Sequence, residues 1–135
     1  MATTHVADQI PESHLDLLSA AYLAHMATIG PDGEPQSSPV WFDWDGEHLL
    51  VGLMPSRQKH RNLQRDPRVA LSIVDRRNAG RYLEIRGRVV AVDPDPDRAA
   101  MKRILRKYVG TEDFPGAADH RDIFVIEPVR VSYMG

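Results

Sequence analysis

Apolar residues recur along the chain with two spacings, one typical of strands and one typical of helices. Runs rich in branched and aromatic residues, bounded by turn-forming residues, predict six strands. These strands cover residues 23–29, 36–44, 48–54, 69–74, 82–92 and 123–133. Helical spacing predicts a helix over residues 11–21, a short helix after Pro55-Ser56, and a last helix from Asp95-Pro96 onward. Six short strands with hairpin turns favour a mainly β, α+β domain, in which short helices cover the ends of a small antiparallel barrel.

Turn and cap residues support the bounds of these segments. Residues 30–33 read Gly-Pro-Asp-Gly and have turn chemistry, and Asp45-Gly46 predicts a tight hairpin turn. Ser13 is the expected cap of the first helix, whereas Asp95 is the expected cap of the last helix and is followed by proline at the first helical position. Gly87 faces inward in the fifth strand, where it predicts a bulge or a bend.

The third predicted strand is apolar on both faces. One face carries Leu49, Val51 and Leu53, and the other carries Leu50, Gly52 and Met54. An antiparallel strand with one solvated face alternates apolar and polar residues, so we expect the domain core to cover one face and a ligand or a second subunit to cover the other. Gly52 weakens the strand unless something approaches its backbone closely. A ligand contact and simple packing in a buried strand explain this glycine equally well.

Cations gather in the short helix after the third strand, with no acid before Asp66 in a chain of net charge −2. They are Arg57, Lys59, Arg61 and Arg65. Exposed N–H groups at a helix start attract anions, and neighbouring guanidinium and ammonium groups strengthen that attraction. Ser56 either caps the helix or donates its hydroxyl to a ligand. On spacing alone, a site for a phosphorylated small molecule and a solvated helix anchored only by Leu63 are equally supported.

Length and composition bound the class of protein. The chain has 135 residues, of which 42% are hydrophobic and 27% are charged, as in an ordinary globular domain. We expect one domain over residues 1–135, with residues 1–10 as a loose leader and residues 110–119, which include Phe114-Pro115-Gly116, as a loop. With no signal-peptide pattern and no apolar run that would span a bilayer, the expected location is the cytoplasm, with no membrane partner. The near-balanced charge disfavours a nucleic-acid partner.

Common catalytic motifs are missing from the sequence. There is no GxGxxG turn, no P-loop and no GxSxG nucleophile elbow. There is also no cysteine, which excludes disulfides and thiol nucleophiles, and the six histidines lack the spacing of a metal site. Acidic residues fall mostly in turns and caps, so no general acid–base pair stands out. An enzyme built from this chain would therefore take its reactive group from a cofactor.

Three segments, occurring in this order, carry a family resemblance. They are residues 30–53 (GPDGEPQSSPVWFDWDGEHLLVGL), 56–74 (SRQKHRNLQRDPRVALSIV) and 81–90 (RYLEIRGRVV). Within them lie a Lys-x-x-Asn-Leu signature at Lys59, Asn62 and Leu63, an Asp-Pro-Arg-Val turn at residues 66–69, and a Glu-x-x-Gly at residues 84–87. The chain resembles the pyridoxamine-5′-phosphate-oxidase-like split-barrel proteins, and most of all their actinobacterial branch that uses the deazaflavin coenzyme F420.

The resemblance implies a six-stranded antiparallel split β-barrel and a homodimer with cofactor sites at the subunit interface. Residues 36–40 and 52–53 would line the ring and ribityl region, residues 56–59 would hold the phosphate and the acidic tail beyond it, and residues 80–82 would reach in from the partner chain. The cofactor-binding residues implied in this way are Gln36, Ser37, Ser38, Pro39, Val40, Gly52, Leu53, Ser56, Arg57, Gln58, Lys59, Gly80, Arg81 and Tyr82. The resemblance assigns no catalytic side chain. It places Trp41 either at the border of the substrate face or, as the favoured assignment, in the aromatic core or a dimer contact.

By this resemblance, the expected activity is hydride transfer between coenzyme F420 and an unsaturated small organic substrate. The multiply charged glutamate tail of F420 matches the wide cationic group of Arg57, Lys59 and Arg61 better than the single phosphate of FMN does. An FMN-dependent oxidoreductase on the same barrel and a non-catalytic flavin or F420 carrier are the alternatives. Pyridoxamine-phosphate oxidase itself is disfavoured because the sequence has no C-terminal arginine motif for pyridoxal phosphate.

Overall fold

A computed structural model describes residues 5–113 and 119–135 of the chain, so the part of the predicted loop that contains Phe114-Pro115-Gly116 lies outside the described residues. One curled antiparallel sheet forms a half-barrel, with strands in the order β2-β1-β5-β6-β7-β4-β3. The strands are β1 (Ala24–Ile29), β2 (Pro35–Val40), β3 (Asp43–Trp44), β4 (Leu49–Leu53), β5 (Arg68–Asp75), β6 (Asn78–Asp93) and β7 (Asp122–Met134). The helices are α1 (Asp16–Ser19), α2 (Gln58–Arg65) and α3 (Ala99–Val109). None of the helices in the described residues is long and apolar enough to cross a bilayer.

The described sheet has seven strands rather than the six that we predicted. The predicted strand over residues 36–44 splits into β2 and β3, because the chain leaves the ladder at Trp41 and Phe42. The backbone N–H of Phe42 donates to Tyr108 Oη at 3.3 Å, and its carbonyl accepts from Lys107 Nζ at 2.9 Å. The polar backbone groups of Phe42 thus bond to α3 instead of to a neighbouring strand, and its ring is fully buried in the core.

The N-terminal segment also differs from the prediction. Val6–Gln9 forms a 3-10 turn and Ile10 is buried in the main core, so the expectation of a loose leader is wrong for these residues. The predicted helix over residues 11–21 is two short pieces, a 3-10 turn at Glu12–His14 and then α1. Ser13 caps neither of them, since its hydroxyl bonds to His14 Nδ1 at 2.8 Å. Packing of the segment into the core therefore overrides the continuous helical pattern.

The start of α3 shows how a capping residue can act from a distance. We predicted a helix beginning at Asp95-Pro96, but α3 begins at Ala99, after Asp95 and Arg98 adopt positive φ angles of 51° and 58°. The Asp95 carboxylate still accepts the N–H groups of Ala100 and Met101, both at 3.1 Å. Helical spacing predicts a buried stripe of Met101, Ile104, Leu105 and Tyr108 on this helix. The first three are buried, and Tyr108 is partly buried.

The core lies in two places. The main cluster fills the concave side of the sheet, and the second packs α3 against β4 and β7. The members of the second cluster are Leu50, Ala100, Met101, Ile104 and Ile123. Helix α3 of the same chain thus covers Leu50 and contacts Gly52 through Met101, while Gly52 itself stays partly exposed. The expectation that a ligand or a second subunit covers part of this face stays a prediction. A Cβ at Gly52 would overlap Met101 Sδ, so a larger residue here would displace the Met101 side chain.

The bend predicted at Gly87 is confirmed. The register between β6 and β7 shifts between Arg86 and Gly87, and a Cβ at Gly87 would lie 2.6 Å from the Glu127 carbonyl oxygen. Strand β7 is continuous at this point and runs through Glu127-Pro128.

Candidate functional site

The cationic corner predicted from the sequence is the turn from β4 into α2. The Arg57 N–H donates to the Met54 carbonyl at 3.0 Å, and α2 starts at the next residue with no acidic side chain in its first turn. Arg57 and Arg61 are exposed, whereas His60, Asn62 and Leu63 are buried. Leu63 is therefore not the only anchor of α2, because two buried polar side chains also fasten it to the sheet.

A cavity of about 470 Å³ opens beside this corner, between α2, β4, α3 and the end of β2. Its volume is within the range of about 300–1,000 Å³ found for small-molecule sites. The lining residues are Leu23, Pro39, Val40, Trp41, Gly52, Leu53, Met54, Arg57, Lys59, Met101, Ile104, Leu105 and Arg121. This lining combines three cations with mostly apolar side chains and has no acid among the described residues, so it suits an amphipathic anion with a flat or apolar body.

Lys59 is a half-buried cation of the cavity wall. Its ammonium group donates to Ser38 Oγ at 3.2 Å. Burial lowers the pKa of Lys59, and the positive charge of Arg57 lowers that pKa further. A bound anion would offset both effects, because it would supply the counter-charge that the described surroundings lack.

Asn62 joins α2 to the first two strands. The side chain is fully buried, and its Nδ2 donates to Thr28 Oγ1 on β1 at 3.0 Å and to Gln36 Oε1 on β2 at 2.8 Å. Its Oδ1 accepts from Gln58 Nε2 at 2.8 Å. Together with the bond from Lys59 to Ser38, these contacts hold one face of α2 against β2.

His60 joins α2 to the start of β7. Its Nε2 lies 2.8 Å from Asp122 Oδ2, and His120 Nε2 lies 2.9 Å from the other oxygen of the same carboxylate. The hydrogen bond to His60 lowers the pKa of Asp122, and the contact with His120 acts in the same direction. Arg121, which lines the cavity, directly precedes Asp122 in the chain. The contact between His60 and Asp122 therefore holds Arg121 close to the cations of α2.

Trp41, which lines the cavity, belongs to an aromatic pair. Trp41 stacks on Tyr108, with ring centres 5.1 Å apart and planes within 5°. The Tyr108 hydroxyl donates to the Tyr22 carbonyl at 2.5 Å, and burial raises the pKa of Tyr108 to about 12. Lys107 beside it donates to the carbonyls of Leu18 and Phe42, and burial lowers the pKa of Lys107 to about 8. These bonds fix Trp41 through α3, so Trp41 borders the cavity as well as packing on an aromatic neighbour.

The structure brings most of the residues implied by the resemblance to one region. Those that line the cavity are Pro39, Val40, Gly52, Leu53, Arg57 and Lys59. Gln36, Ser38 and Gln58 are bonded into the contact between α2 and β2. Ser37 and Ser56 are exposed, and the Ser56 carbonyl accepts from Arg61 at 2.9 Å while its hydroxyl provides no cap for α2.

Gly80, Arg81 and Tyr82 do not line this cavity. They lie near the start of β6, where the Arg81 guanidinium pairs with Asp16 and Asp75 of its own chain. The resemblance implied these residues as a contribution from a partner chain, and that role stays a prediction.

Sequence reasoning missed several residues of the cavity wall. They are Leu23, Met54, Met101, Ile104, Leu105 and Arg121. The α3 residues carried a clear signal as a buried stripe, but nothing in the stripe indicates what it packs against. Arg121 stands in a segment without periodicity, so no local pattern marks it.

Comparisons with known proteins agree on one family. The family profile described as pyridoxamine 5′-phosphate oxidase matches residues 10–135. A solved F420 reductase is 41% identical, with a TM-score of 0.82, over 91% of this chain and 98% of that chain. A conserved hypothetical protein, Rv2991 from Mycobacterium tuberculosis, is 23% identical with a TM-score of 0.78, over 98% of this chain and 89% of its own. A putative pyridoxamine 5′-phosphate oxidase from Lactobacillus delbrueckii is 23% identical with a TM-score of 0.66, over 91% and 93%.

Proposed function

The chain belongs to the pyridoxamine 5′-phosphate oxidase family, and we propose that within it this protein is an oxidoreductase that uses coenzyme F420. The observation that carries the proposal is the acid-free group of cations at the start of α2, beside a cavity with a mostly apolar wall. The 41% identity to an F420 reductase over nearly the whole of both chains supports the same assignment.

The charge of the cavity favours F420 over FMN. FMN ends in one phosphate, for which one arginine fork and one ammonium group are sufficient. The cavity lining carries three cations, Arg57, Lys59 and Arg121, and the exposed Arg61 lies one helical turn beyond Arg57. A ligand whose phosphate continues into a chain of glutamates has carboxylates to match the additional cations. FMN is the second candidate, supported by the same fold and by the same pair at residues 57 and 59.

The residues present fit such a cofactor. Arg57 and Lys59 would hold the phosphate, and the apolar wall of Trp41, Met101 and Ile104 would cover the ring and keep water from it. The deazaflavin supplies the hydride chemistry when it is bound. The contribution of this chain is to bind and orient the ring and to exclude water, so we assign no side chain as acid, base or nucleophile.

A homodimer is part of the proposal. Gly80, Arg81 and Tyr82 would then approach the cavity of the partner, and exposed valines on β6 and β7 offer apolar area for the contact. These valines are Val90, Val92 and Val129. Light scattering coupled to gel filtration tests this part, and a monomer at all concentrations with undiminished cofactor affinity would contradict it.

Titration of the purified protein with F420 and with FMN tests the cofactor assignment, with cofactor fluorescence as the readout. We expect F420 to bind more tightly than FMN. Replacing Arg57 or Lys59 by Met should weaken F420 about 10- to 150-fold, the equivalent of one lost charge-assisted hydrogen bond. Arg86→Met removes an exposed cation that pairs with Glu84 on β6, and this matched control should leave affinity unchanged. Binding of FMN without F420 would overturn the choice of cofactor.

Turnover separates an enzyme from a carrier. Reduced F420 is mixed with a panel of enones, quinones and tetrapyrroles, and its oxidation is followed by absorbance. An enzyme oxidises the cofactor faster with at least one compound than the same mixture does without protein. Tight binding with no turnover across the panel would support the non-catalytic carrier.

A further inference from the structure

Side chains of α2 and β2 form a hydrogen-bonded chain with a direction. Arg61 Nη2 donates to Gln58 Oε1 at 2.8 Å, and Gln58 Nε2 donates to Asn62 Oδ1 at 2.8 Å. Asn62 Nδ2 then donates to Gln36 Oε1, also at 2.8 Å. Each amide in the chain thus accepts through its oxygen and donates through its nitrogen toward β2.

The arginines determine this direction. A guanidinium group has donors only, so Gln58 must present its oxygen to Arg61, and its NH₂ group then faces Asn62. Arg65 Nη2 lies 3.4 Å from Asn62 Oδ1 and favours the same orientation of Asn62. Turning the amides over would place NH₂ groups against donors, and the fully buried Asn62 has no access to water that could compensate.

The direction of the chain leaves one donor group at its end. Because Gln36 accepts from Asn62 through its oxygen, its Nε2 amide group is the part without a hydrogen bond to residues 5–113 or 119–135. Gln36 is partly exposed, and its side chain lies on the same face of β2 as those of Ser38 and Val40. Ser38 contacts Lys59, Val40 lines the cavity, and Gln36 itself bonds to Asn62 of α2. Gln36 is not among the residues that line the cavity, so its amide lies at the edge of the cationic corner.

We propose that Gln36 acts as a hydrogen-bond donor toward a carbonyl or carboxylate oxygen of the ligand bound at this corner, and that Asn62 is the positioning residue that turns it that way. The proposal rests on the proposed function for the identity of the ligand. It adds a rule of specificity, because a ligand that presents an N–H group at this position would meet another donor and would be rejected.

Spectra of the protein without cofactor test the orientation of the amides. Hydrogen exchange of the side-chain NH₂ groups is measured by ¹⁵N-edited NMR. We expect slow exchange for the NH₂ groups of Asn62 and Gln58 and fast exchange for that of Gln36. In Asn62→Asp, the new carboxylate accepts from the Gln36 amide, so the Gln36 NH₂ group should become protected and its oxygen should turn outward. A protected Gln36 NH₂ group in the unmodified protein would overturn the proposal.

Cofactor titration of variants tests the contact with the ligand. Gln36→Met should weaken F420 roughly 2- to 12-fold, as expected for one neutral hydrogen bond. Gln36→Glu and Asn62→Asp both present an oxygen where a donor is needed, so each should weaken F420 more than Gln36→Met does. Gln64 is an exposed glutamine on the same helix, and Gln64→Glu and Gln64→Met are the matched controls, with no change expected.

The outcomes separate this proposal from the assignment of the cofactor. Gln36→Glu binding F420 as tightly as the unmodified protein would overturn the donor role while the proposed function stands. An unmodified protein that binds neither F420 nor FMN would overturn the proposed function and the ligand contact together. The orientation of the amides is decided by the ligand-free spectra in either case.

Discussion

A methyl group added at Gly52 tests whether α3 or a ligand lies against β4. The Cβ of Gly52→Ala would come closer than 3.0 Å to Met101 Sδ, whereas its next neighbour, Ile123 Cδ1, would lie at an ordinary 3.4 Å. Met101 is buried in the cluster between α3 and β4, so its side chain must shift within that packing or toward the cavity that it also lines. We therefore expect Gly52→Ala to destabilise the protein by about 1–3 kcal/mol, the usual cost of overpacking a core.

Gly52→Ala should stabilise the protein, instead of destabilising it, once Met101 is replaced by alanine. Met101→Ala alone costs about 2–5 kcal/mol, because it leaves a cavity. In that background the Cβ at Gly52 meets Ile123 Cδ1 and Arg121 Cδ at ordinary contact distances of 3.4 and 3.5 Å. Alanine in a strand is also favoured over glycine by about 0.5–1 kcal/mol. The coupling between the two positions should therefore amount to about 1.5–4 kcal/mol.

Urea unfolding followed by circular dichroism measures this cycle, provided that the slope of the unfolding free energy with urea stays constant among the four proteins. Gly80→Ala is the control, since Gly80 is exposed and its added Cβ would have 3.4 Å to the nearest atom, Asn78 Oδ1. We expect the control to change stability by less than about 0.5 kcal/mol. If Gly52→Ala cost the same with and without Met101, Met101 would not be the group that excludes a side chain from this position.

Three further outcomes follow from the packing. Gly87→Ala should destabilise by about 3 kcal/mol or more in the same unfolding assay, because its Cβ would meet the immobile Glu127 carbonyl at 2.6 Å. Tyr108→Phe should cost about 1–3 kcal/mol, since two backbone groups lose their partner, whereas Tyr133→Phe on an exposed ring should be neutral. The depressed pKa of Lys107, about 8 against 10.5, means that the unfolded chain holds this proton to higher pH, so the free energy of unfolding should rise with pH above about 8. Lys107→Met should abolish that rise, and a rise of equal slope in this variant would contradict the assignment.

The cationic corner is the part of the site that could be predicted from local sequence. Arg57 and Lys59 follow a strand and a turn within a few residues, so their approach to the same corner depends only on chain connectivity. The contacts that secure the corner were not predictable in this way. Asn62 bonds to Thr28 and Gln36, which lie 34 and 26 residues away, and neither spacing reflects a helix or strand period.

The segment that packs on the second face of β4 could not be predicted from local sequence either. Two-sided apolarity at residues 49–53 indicated correctly that both faces are buried, and the stripe on α3 indicated correctly that one face of that helix is buried. Neither pattern indicates its partner, because hydrophobic burial is non-directional and any apolar surface of suitable shape satisfies it. Only the folded chain pairs Met101 with Gly52 and leaves a cavity beside them.

By itself, the sequence determined most strands, the turns, the helical stripe and the concentration of positive charge after β4, since each depends on neighbours a few residues apart. The tertiary structure alone decided that Trp41 and Phe42 leave the sheet for α3, that Arg121 joins the cations of α2, and that the Gln36 oxygen accepts from Asn62. These features depend on hydrogen bonds and packing between distant segments. Such contacts follow from the path of the whole chain, and local periodicity carries no record of it.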